Sequence, residues 1–255
     1  MNPSSDYVIV IPARQASERL PGKMLRPIGG KPMIQWVWEA AQRAGAAEVV
    51  VATDDETIAE TVRAFGGEAE MTRLDHTSGS DRIAECAERR GWSDDQLVVN
   101  LQGDEPEMPA EVLEQVADLL RSAPEAAVAS LYWPITDANE VRDPNAVKVV
   151  VSEQGRALYF SRAVMPHPRG RESVEAALAA GIPWRRHLGL YAYRLGALRD
   201  FTTWTPGVLE QTEKLEQLRF LENGREIRIE QACTHIPPGV DTEQDLERAR
   251  ASLSG

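Results

Sequence analysis

Five basic side chains are concentrated near the start of this chain, at Arg14, Arg19, Lys23, Arg26 and Lys31. Only one acid, Glu18, opposes them there, although the whole chain carries a formal net charge of −12. The cluster directly follows YVIV, the first strongly apolar run, which predicts a buried strand. Fixed cations beside Gly22 suit an anion whose charge is spread over several oxygens, such as a triphosphate. The loop contains neither GxxxxGK[ST] nor GxGxxG, so a solvated loop with ordinary salt bridges stays an open alternative.

Two aspartates are candidates for holding a metal ion. Asp104, in NLQGDEP, follows an apolar run, and Asp241, in PPGVDTEQDLE, precedes the last amphipathic segment. Mg²⁺ prefers oxygen ligands and commonly takes one or two carboxylates together with substrate phosphates. A turn-forming role for Asp104 and a helix N-cap role for Asp241 are the structural alternatives, and the cap is the simpler interpretation of Asp241.

Composition excludes several classes of protein. The chain has 255 residues, with 40 acids against 28 bases, so non-specific binding to nucleic acid is not expected. No apolar run approaches the ~20 residues of a membrane span, and MNPSSDY lacks the features of a signal peptide. We therefore expect a cytoplasmic protein without a membrane partner. Cys86 and Cys233 have no zinc-binding spacing, and Cys86 lies on a helical pattern that predicts burial.

The first half of the chain alternates strand and helix patterns. Short β-branched runs at 7–12, 48–53 and 96–101 alternate with amphipathic patterns at 54–67, 79–91 and 110–122. Such alternation predicts an α/β fold with a mainly parallel sheet flanked by helices. Because ligands bind beyond the carboxyl ends of parallel strands, the loops expected to carry function are 12–31, 53–55, 71–80 and 102–109.

The second half is richer in strands. Strand patterns cover 127–135, 145–152, 157–162, 187–194 and 226–231, and the polar stretch 166–186 predicts an exposed flap. One helix is expected over 208–224, and a last one over 241–253 with Asp241 or Thr242 as its cap. We predict a single domain over 1–255, with a nucleotide-binding half at about 1–125 and a smaller β-rich half for sugar binding and dimerisation at about 126–255.

Eight motifs occur in order between about residues 7 and 250. They are IPAR-x-A-S-x-RLPGK, MTR-x-DH-x-SG-x-DR, NLQGDEP, NAVKVV, ALYFSR, RRHLGLYAYR, LEQLR and GVDTEQDLERAR. Together they resemble the 3-deoxy-manno-octulosonate (Kdo) cytidylyltransferase family, the CMP-Kdo synthetases of lipopolysaccharide biosynthesis. Gln15 and Glu18 depart from the Tyr and Thr expected in the first motif. The resemblance implies a nucleotidyltransferase-like fold, a homodimer, Mg²⁺ dependence and transfer of CMP from CTP to Kdo, with release of pyrophosphate.

The resemblance also assigns roles to individual residues. It implies catalytic roles for Arg14, Lys23 and Asp104, and metal binding by Asp104 and Asp241. The implied CTP contacts are Arg14, Ser17, Lys23, Arg73 and Ser78. The implied sugar contacts are Gln102, Arg162, His187, Tyr191, Glu216 and Gln217. Without the family, Arg73 and Ser78 would belong to an ordinary polar turn, His187 would be a structural histidine, and EKLEQLR would be a solvated helix face.

The reaction implied is attack by the anomeric hydroxyl of Kdo on the α-phosphorus of CTP. No side chain stands out in the sequence as a general base, and a carboxylate or a metal-activated hydroxyl could serve. Two other functions stay open. A cytidylyltransferase for a related sugar acid, such as 8-amino-Kdo, would need few changes in the sugar pocket. A metal-dependent glycosyltransferase with an Asp-x-Asp motif is disfavoured, because Asp104 has no Asp two positions away.

Overall fold

Buried strands and amphipathic helices alternate along the computed structural model, which describes residues 6–15, 19–76 and 78–253. The strands are Tyr7–Ala13 (β1), Pro27–Ile28 (β2), Lys31–Pro32 (β3), Glu48–Thr53 (β4), Glu68–Met71 (β5), Leu97–Asn100 (β6), Val128–Ile135 (β7), Lys148–Val151 (β8), Ala157–Ser161 (β9), Trp184–Arg194 (β10) and Ile227–Gln231 (β11). The helices are Met33–Arg43 (α1), Glu56–Ala64 (α2), Gly79–Arg90 (α3), Ala110–Arg121 (α4), Ala138–Arg142 (α5), Val174–Ala179 (α6), Leu195–Thr203 (α7), Val208–Glu213 (α8), Leu218–Glu222 (α9) and Glu243–Leu253 (α10).

Strands from both halves of the chain join one sheet. Its main path runs β11-β7-β10-β6-β1-β4-β5, and β8 and β9 extend it beside β10. β1 pairs in parallel with β4 and β6, β4 with β5, and β11 with β7. The antiparallel pairings of this sheet are those of the long strand β10 with β6, β7 and β8, and that of β8 with β9. The predicted α/β fold with a mainly parallel sheet flanked by helices is confirmed.

The two faces of the sheet are both covered. Side chains alternate along a strand, so Ile9 and Ile11 of β1 pack into one buried cluster, while Val8 and Val10 pack into another on the opposite face. The helices α1 and α4 cover the first face, and α3 covers the second. Cys86 is fully buried in the second cluster, as its helical position predicted. Burial raises the pKa of its thiol to about 12, so Cys86 is a packing residue.

Several parts of the chain differ from the sequence prediction. The single helix expected over 208–224 is wrong, since the backbone turns into the left-handed region at Lys214 (φ 55°) and separates α8 from α9. The stretch 166–186 is not only an exposed flap, because it contains α6 and leads into the buried side chain of Trp184. The helices α1, α5 and α7 and the strands β2, β3 and β5 form without having been predicted.

The last helix resolves the ambiguity about its cap. Thr242 Oγ1 accepts a hydrogen bond from the Asp245 backbone N–H at 3.2 Å, and Asp245 Oδ2 accepts one from the Thr242 N–H at 2.9 Å. This reciprocal pair satisfies backbone donors at the start of α10. The carboxylate of Asp241 is therefore not needed as the cap. In the part of the chain that the structure describes, no helix combines the length and apolar character required to cross a membrane.

Candidate active site

A cavity of about 570 Å³ opens where β1 and β6 end. Both strands are parallel, so their carboxyl ends bring the basic loop after β1 and the turn after β6 to the same edge of the sheet. The lining residues are Pro12, Ala13, Arg14, Arg19, Lys23, Met24, His76, Ser78, Gly79, Arg82, Gln102, Gly103, Asp104, Glu216 and Asp241. We call this the first cavity. Several of the predicted site residues are thus brought together from segments that are distant in sequence.

Lys23 lies between the two candidate metal ligands. Its Nζ is 2.6 Å from Asp104 Oδ2 and 3.2 Å from Asp241 Oδ1, and it also donates to the Val240 carbonyl at 3.3 Å. The three protons of the ammonium therefore each have an acceptor. Lys23 is 8% exposed, so this cation is held inside the site and not on the outer surface of the loop.

Close backbone approach sets the position of Asp104. A Cβ on Gly103 would come within 3.0 Å of the Pro12 carbonyl oxygen and 2.9 Å of Met24 Sδ, so the turn after β6 rests directly on the end of β1. The Val240 N–H donates to the Asp104 carbonyl at 2.8 Å, which brings the chain of Asp241 beside this turn. These backbone contacts place two carboxylates on one side of the first cavity.

The donor set fits a magnesium ion that is shared with a substrate. Carboxylate oxygens are the ligands that Mg²⁺ prefers, and the ion usually keeps open positions for phosphates and water. Asp104 and Asp241 side chains are 28% and 48% exposed, so an incoming ligand can reach them. Across residues 6–15, 19–76 and 78–253, no three His, Cys, Asp or Glu side chains converge as a ready-made metal cage.

The other cations of the first cavity differ in how they are held. Arg19 pairs with Asp241 at 3.0 Å, and its side chain is 67% exposed. Arg82, which was not among the predicted site residues, is 4% exposed and donates to Asp54 Oδ2 at 2.6 Å. Arg14 is exposed at the end of β1 and lines the same cavity. Arg82 is the last residue of the motif MTR-x-DH-x-SG-x-DR. Its place in the first turn of α3, at the predicted edge of the site, could have identified it from the sequence.

The start of α3 forms another side of the first cavity. Ser78 is the N-cap of this helix and accepts a hydrogen bond from the Asp81 N–H at 3.1 Å. His76 also lines the cavity, with its Nε2 bonded to Glu85, and it was not among the predicted residues. Arg73 is not among the lining residues. Its side chain is 66% exposed and pairs with Asp75 at 3.1 Å. Ser17 falls outside the described residues.

A second cavity of about 280 Å³ adjoins the first. Its lining residues are Gly79, Ser80, Asn100, Gln102, Tyr191, Tyr193, Phe201, Lys214, Leu215, Glu216, Gln217 and Phe220. Gly79, Gln102 and Glu216 line both cavities, so they form the wall between them. The second cavity combines aromatic faces with amide and hydroxyl groups, a mixture that suits a polyhydroxylated ligand. Four of the predicted sugar contacts meet here: Gln102, Tyr191, Glu216 and Gln217.

His187 lies behind this cavity and lines neither of the two. Its Nε2 is 2.9 Å from Ser130 Oγ, and its Nδ1 is 3.4 Å from Gln217 Nε2. Burial lowers the pKa of His187 to about 3, so the imidazole is neutral at ordinary pH. A neutral ring that donates to Ser130 from Nε2 can accept from Gln217 at Nδ1. The structure therefore places His187 as a support for Gln217, while direct contact with the sugar stays a prediction.

Arg162 also lines neither cavity. Its guanidinium donates to the carbonyl oxygens of Glu213 at 2.8 Å, Pro144 at 3.0 Å and Lys214 at 3.4 Å. The Glu213 carboxylate in turn accepts from the Arg162 N–H at 3.0 Å. These bonds hold the backbone at Lys214, whose left-handed conformation would otherwise be costly for a residue with a side chain. In this structure Arg162 shapes one side of the second cavity, and its predicted contact with the sugar acid stays a prediction.

The electrostatics of the shared wall centre on Glu216. Its side chain is open to the cavities, yet protein atoms crowd its carboxylate, and this partial burial raises its pKa. Ser80 Oγ lies 3.4 Å from Glu216 Oε2. Burial, together with the nearby Glu216 charge, also raises the pKa of Tyr191 and of Tyr193 well above the usual value. Both phenols therefore keep their protons at neutral pH and can act as hydrogen-bond donors.

Comparison with known proteins defines the class and then the family. A model for cytidylyltransferases matches residues 8–227. The chain is 52% identical over 251 residues to 3-deoxy-manno-octulosonate cytidylyltransferase of Pseudomonas fluorescens, covering 98% of this chain and 99% of that protein. It is also 52% identical over 252 residues to the enzyme of the same name from Methylococcus capsulatus, covering 98% of each. The chain belongs to the 3-deoxy-manno-octulosonate cytidylyltransferase family.

Solved structures agree with this assignment. CMP:2-keto-3-deoxy-manno-octonic acid synthetase complexed with CTP superposes with a TM-score of 0.88 at 45% identity, covering 98% of this chain and 99% of that one. A cytidylyltransferase from Leptospira borgpetersenii superposes with a TM-score of 0.62 at 17% identity, covering 98% and 87%. At that identity the second comparison concerns the fold alone. The resemblance drawn from the eight sequence motifs is confirmed.

Proposed function

We propose that this chain transfers CMP from CTP to the anomeric hydroxyl of Kdo, which gives CMP-Kdo for lipopolysaccharide biosynthesis and releases pyrophosphate. The observation that carries the proposal is the pair of adjoining cavities with a common wall. The first contains cations and the carboxylates of Asp104 and Asp241, which suit a triphosphate with its metal. The second contains aromatic, amide and hydroxyl groups, which suit a sugar. A transferase for two substrates needs such neighbouring sites, because positioning the reactants supplies much of the rate enhancement.

In the first cavity, Arg14 and Lys23 hold the phosphates, and the N-terminus of α3 beside Ser78 faces the nucleotide. Lys23 first has to leave its carboxylate partners, which a phosphate oxygen can replace as a charged acceptor. Arg82 and Arg19 add further positive charge to the first cavity. These cations stabilise the negative charge that develops on the phosphates as the bond to pyrophosphate breaks. The proposed CTP contacts of Ser17 and Arg73 are retained as predictions.

Mg²⁺ dependence is part of the proposal. Asp104 and Asp241 would hold the ion, because both carboxylates reach the same point in the first cavity, now taken by the Lys23 ammonium. When bound, Mg²⁺ would neutralise phosphate charge and orient the triphosphate. The protein supplies only two carboxylates among its described residues at this point, which agrees with an ion that arrives together with the nucleotide.

The sugar acid would occupy the second cavity. Tyr191 and Gln217 offer hydrogen-bond donors to its hydroxyls, while Gln102 and Glu216 lie in the wall that faces the nucleotide. His187 and Arg162 support this surface from behind through Gln217 and Lys214. A related sugar acid such as 8-amino-Kdo would contact the same groups, so the preferred sugar has to be measured.

Pyrophosphate release tests the proposal directly. Wild-type protein with CTP and Mg²⁺ should release pyrophosphate when Kdo is added and not in its absence. The same assay with 8-amino-Kdo ranks the two sugar acids. Release of free nucleotide from a nucleotide-sugar and an acceptor, with no use of CTP, would instead identify a glycosyltransferase. Failure to release pyrophosphate from CTP with either sugar acid would refute the proposal.

A homodimer in the cytoplasm completes the proposal. Large apolar side chains remain exposed on the second half of the single chain, with Leu158 at 58%, Val208 at 76% and Leu209 at 39% exposure. A partner copy could cover them, and light scattering on the purified protein measures the oligomeric state. The cytoplasm is the compartment that holds nucleoside triphosphates, so a CTP-dependent reaction belongs there. Fractionation of cells that produce the chain tests this location.

A further inference from the structure

We infer that Glu216 is the general base that removes the proton from the attacking sugar hydroxyl. The inference rests on the proposed function, since it assigns a proton acceptor for that reaction. Glu216 is a carboxylate in the wall between the two cavities, where a hydroxyl in the second cavity must approach a phosphorus in the first. A base has to stand within hydrogen-bond reach of the proton it removes.

The other carboxylates of the two cavities are already committed. Among the described lining residues, the first cavity contains Asp104, Asp241 and Glu216, and the second contains Glu216 alone. Asp104 and Asp241 share the Lys23 ammonium, and both face the position proposed for the metal. Neither borders the second cavity, so neither is placed against a sugar hydroxyl.

Neutral side chains of the site are poorer candidates. Tyr191 and Tyr193 border the second cavity, but their raised pKa keeps them protonated, so they can donate and not accept a proton. His187 is neutral but lies behind Gln217. His76 borders the first cavity only, and its Nε2 is tied to Glu85. Glu216 is thus the described group that combines the right position with a free acceptor capacity.

The surroundings of Glu216 suit the task. Protein atoms crowd the carboxylate and raise its pKa, although Arg219 counteracts this effect and Glu210 and Asp81 reinforce it. Other polar and charged groups that line the second cavity with it are Ser80, Asn100, Gln102, Tyr191, Tyr193, Lys214 and Gln217. Ser78, His76 and Arg82 line the first cavity with it. A carboxylate whose pKa is above its ordinary value is a stronger base than an ordinary carboxylate.

The sugar hydroxyl loses its proton to Glu216 as its oxygen attacks the phosphorus. The O–H bond of the anomeric hydroxyl breaks, and its proton passes to a Glu216 carboxylate oxygen. The oxygen lone pair forms the new bond to the α-phosphorus of CTP. The bond from that phosphorus to the bridging oxygen of the β-phosphate breaks, and its electron pair leaves with pyrophosphate. Glu216 returns its proton to water when the products dissociate.

The test compares Glu216→Gln with Glu216→Asp and wild type. Gln keeps the size and hydrogen-bonding capacity of the side chain but cannot accept the proton, so kcat should fall by roughly 100- to 10,000-fold. Asp retains the base at a shorter reach and should recover part of that loss. Glu153→Gln, in the exposed turn between β8 and β9, is the matched control and should turn over like wild type.

Two further readouts separate catalysis from binding. The dissociation constants for CTP and for Kdo, measured by calorimetry, should change less than threefold and tenfold respectively in Glu216→Gln. In wild type, kcat/KM should decrease as the pH falls through the pKa of Glu216, because the protonated acid cannot accept a proton. This acidic limb should be absent from the residual activity of Glu216→Gln, measured at the same CTP and Mg²⁺ concentrations.

The outcomes distinguish the two proposals. Glu216→Gln could raise the KM for Kdo and leave both kcat at saturating sugar and the pH profile unchanged. That result would show that Glu216 only binds the sugar. It would overturn the inference and leave the proposed function intact. Equal loss in Glu216→Gln and Glu216→Asp, with both folded as judged by thermal unfolding, would overturn it as well. Absence of pyrophosphate release by the wild type would overturn both proposals together.

Discussion

Replacing Lys23 by alanine tests whether its ammonium stands in the place of the proposed metal. In the free protein this ammonium separates two carboxylates, at 2.6 Å from Asp104 and 3.2 Å from Asp241. The two carboxylate oxygens that share this ammonium are therefore at most about 6 Å apart. At that distance two unit negative charges repel each other by about 3 kcal/mol at an effective dielectric constant of ~20, and by less than 1 kcal/mol in bulk water. Because both carboxylates are partly exposed and Arg19 pairs with Asp241, we expect Lys23→Ala to lose about 1–2 kcal/mol of stability without divalent cations.

Thermal unfolding with and without Mg²⁺ is the assay. For a chain of this size a loss of about 1–2 kcal/mol lowers Tm by about 2–8 °C. Added Mg²⁺ should recover this loss in Lys23→Ala, since the ion meets two carboxylates without an ammonium between them, and a ligand at 100 times its Kd stabilises by about 2.7 kcal/mol. In wild-type protein Mg²⁺ alone should shift Tm much less, because it has to displace Lys23.

Lys31→Ala is the matched control. Lys31 belongs to the same basic cluster, but it pairs with Glu39 at 2.8 Å and is 40% exposed, so its loss should cost less than about 1 kcal/mol and be insensitive to Mg²⁺. Its kcat/KM should stay near wild type, while that of Lys23→Ala should fall by about 10- to 100-fold through loss of a charged phosphate contact. Equal Tm values for the two variants, each indifferent to Mg²⁺, would refute the reasoning.

Three further perturbations test other parts of the site. Asp104→Asn should abolish pyrophosphate release while circular dichroism shows a folded protein, and full activity at ordinary Mg²⁺ would remove Asp104 from the mechanism. Arg162→Ala should raise the KM for Kdo strongly, because the hydrogen bonds of Arg162 support Lys214 and the second cavity. Its CTP affinity, measured by calorimetry, should stay within about threefold of wild type. Loss of CTP binding with Kdo affinity preserved would contradict this prediction. His187 stays neutral in the folded protein because burial lowers its pKa to about 3, whereas the unfolded chain protonates it near its ordinary pKa. The unfolded state therefore binds the extra proton, and stability should fall by up to about 1.4 kcal/mol per pH unit between about pH 6 and pH 4 from this group. Urea unfolding across that range should show a shallower decrease in His187→Gln, and parallel curves for the two proteins would count against a neutral His187.

The parts of the fold that the sequence predicted are those set by local patterns. The β-branched runs that became β1, β4 and β6 are short, apolar and bounded by turns, and the helices α2, α3 and α4 have clear apolar stripes. The break between α8 and α9 at Lys214 could not be predicted from local patterns. A left-handed backbone normally selects glycine or asparagine, and here hydrogen bonds from Arg162, about fifty residues earlier in the chain, support a lysine in that conformation.

The site was predictable to a similar extent. The charge cluster and the two aspartates identified the first cavity, because residues at the carboxyl ends of parallel strands must share an edge. Which side chain faces a cavity and which supports it from behind depends on tertiary packing. His187 and Tyr191 lie on the same strand with their ring centroids 5.4 Å apart, yet only Tyr191 lines the second cavity, while His187 lies beside Gln217. The register of β10 against β7 also shifts between Leu188 and Tyr191. The register of such a strand cannot be predicted from the alternation of its own residues.

The pairing of Lys23 and Arg19 with carboxylates also affects how CTP reaches the protein. At distances beyond a Debye length of about 8 Å, these ion pairs largely cancel, and the acidic chain as a whole, with its formal net charge of −12, repels a polyanion. Attraction begins only inside the first cavity, where phosphate oxygens can take the cations from Asp104 and Asp241. Such a site gains little from electrostatic steering. Its association rate with CTP should consequently not decrease as the ionic strength rises, unlike that of a site whose lysines and arginines stand unpaired before the ligand arrives.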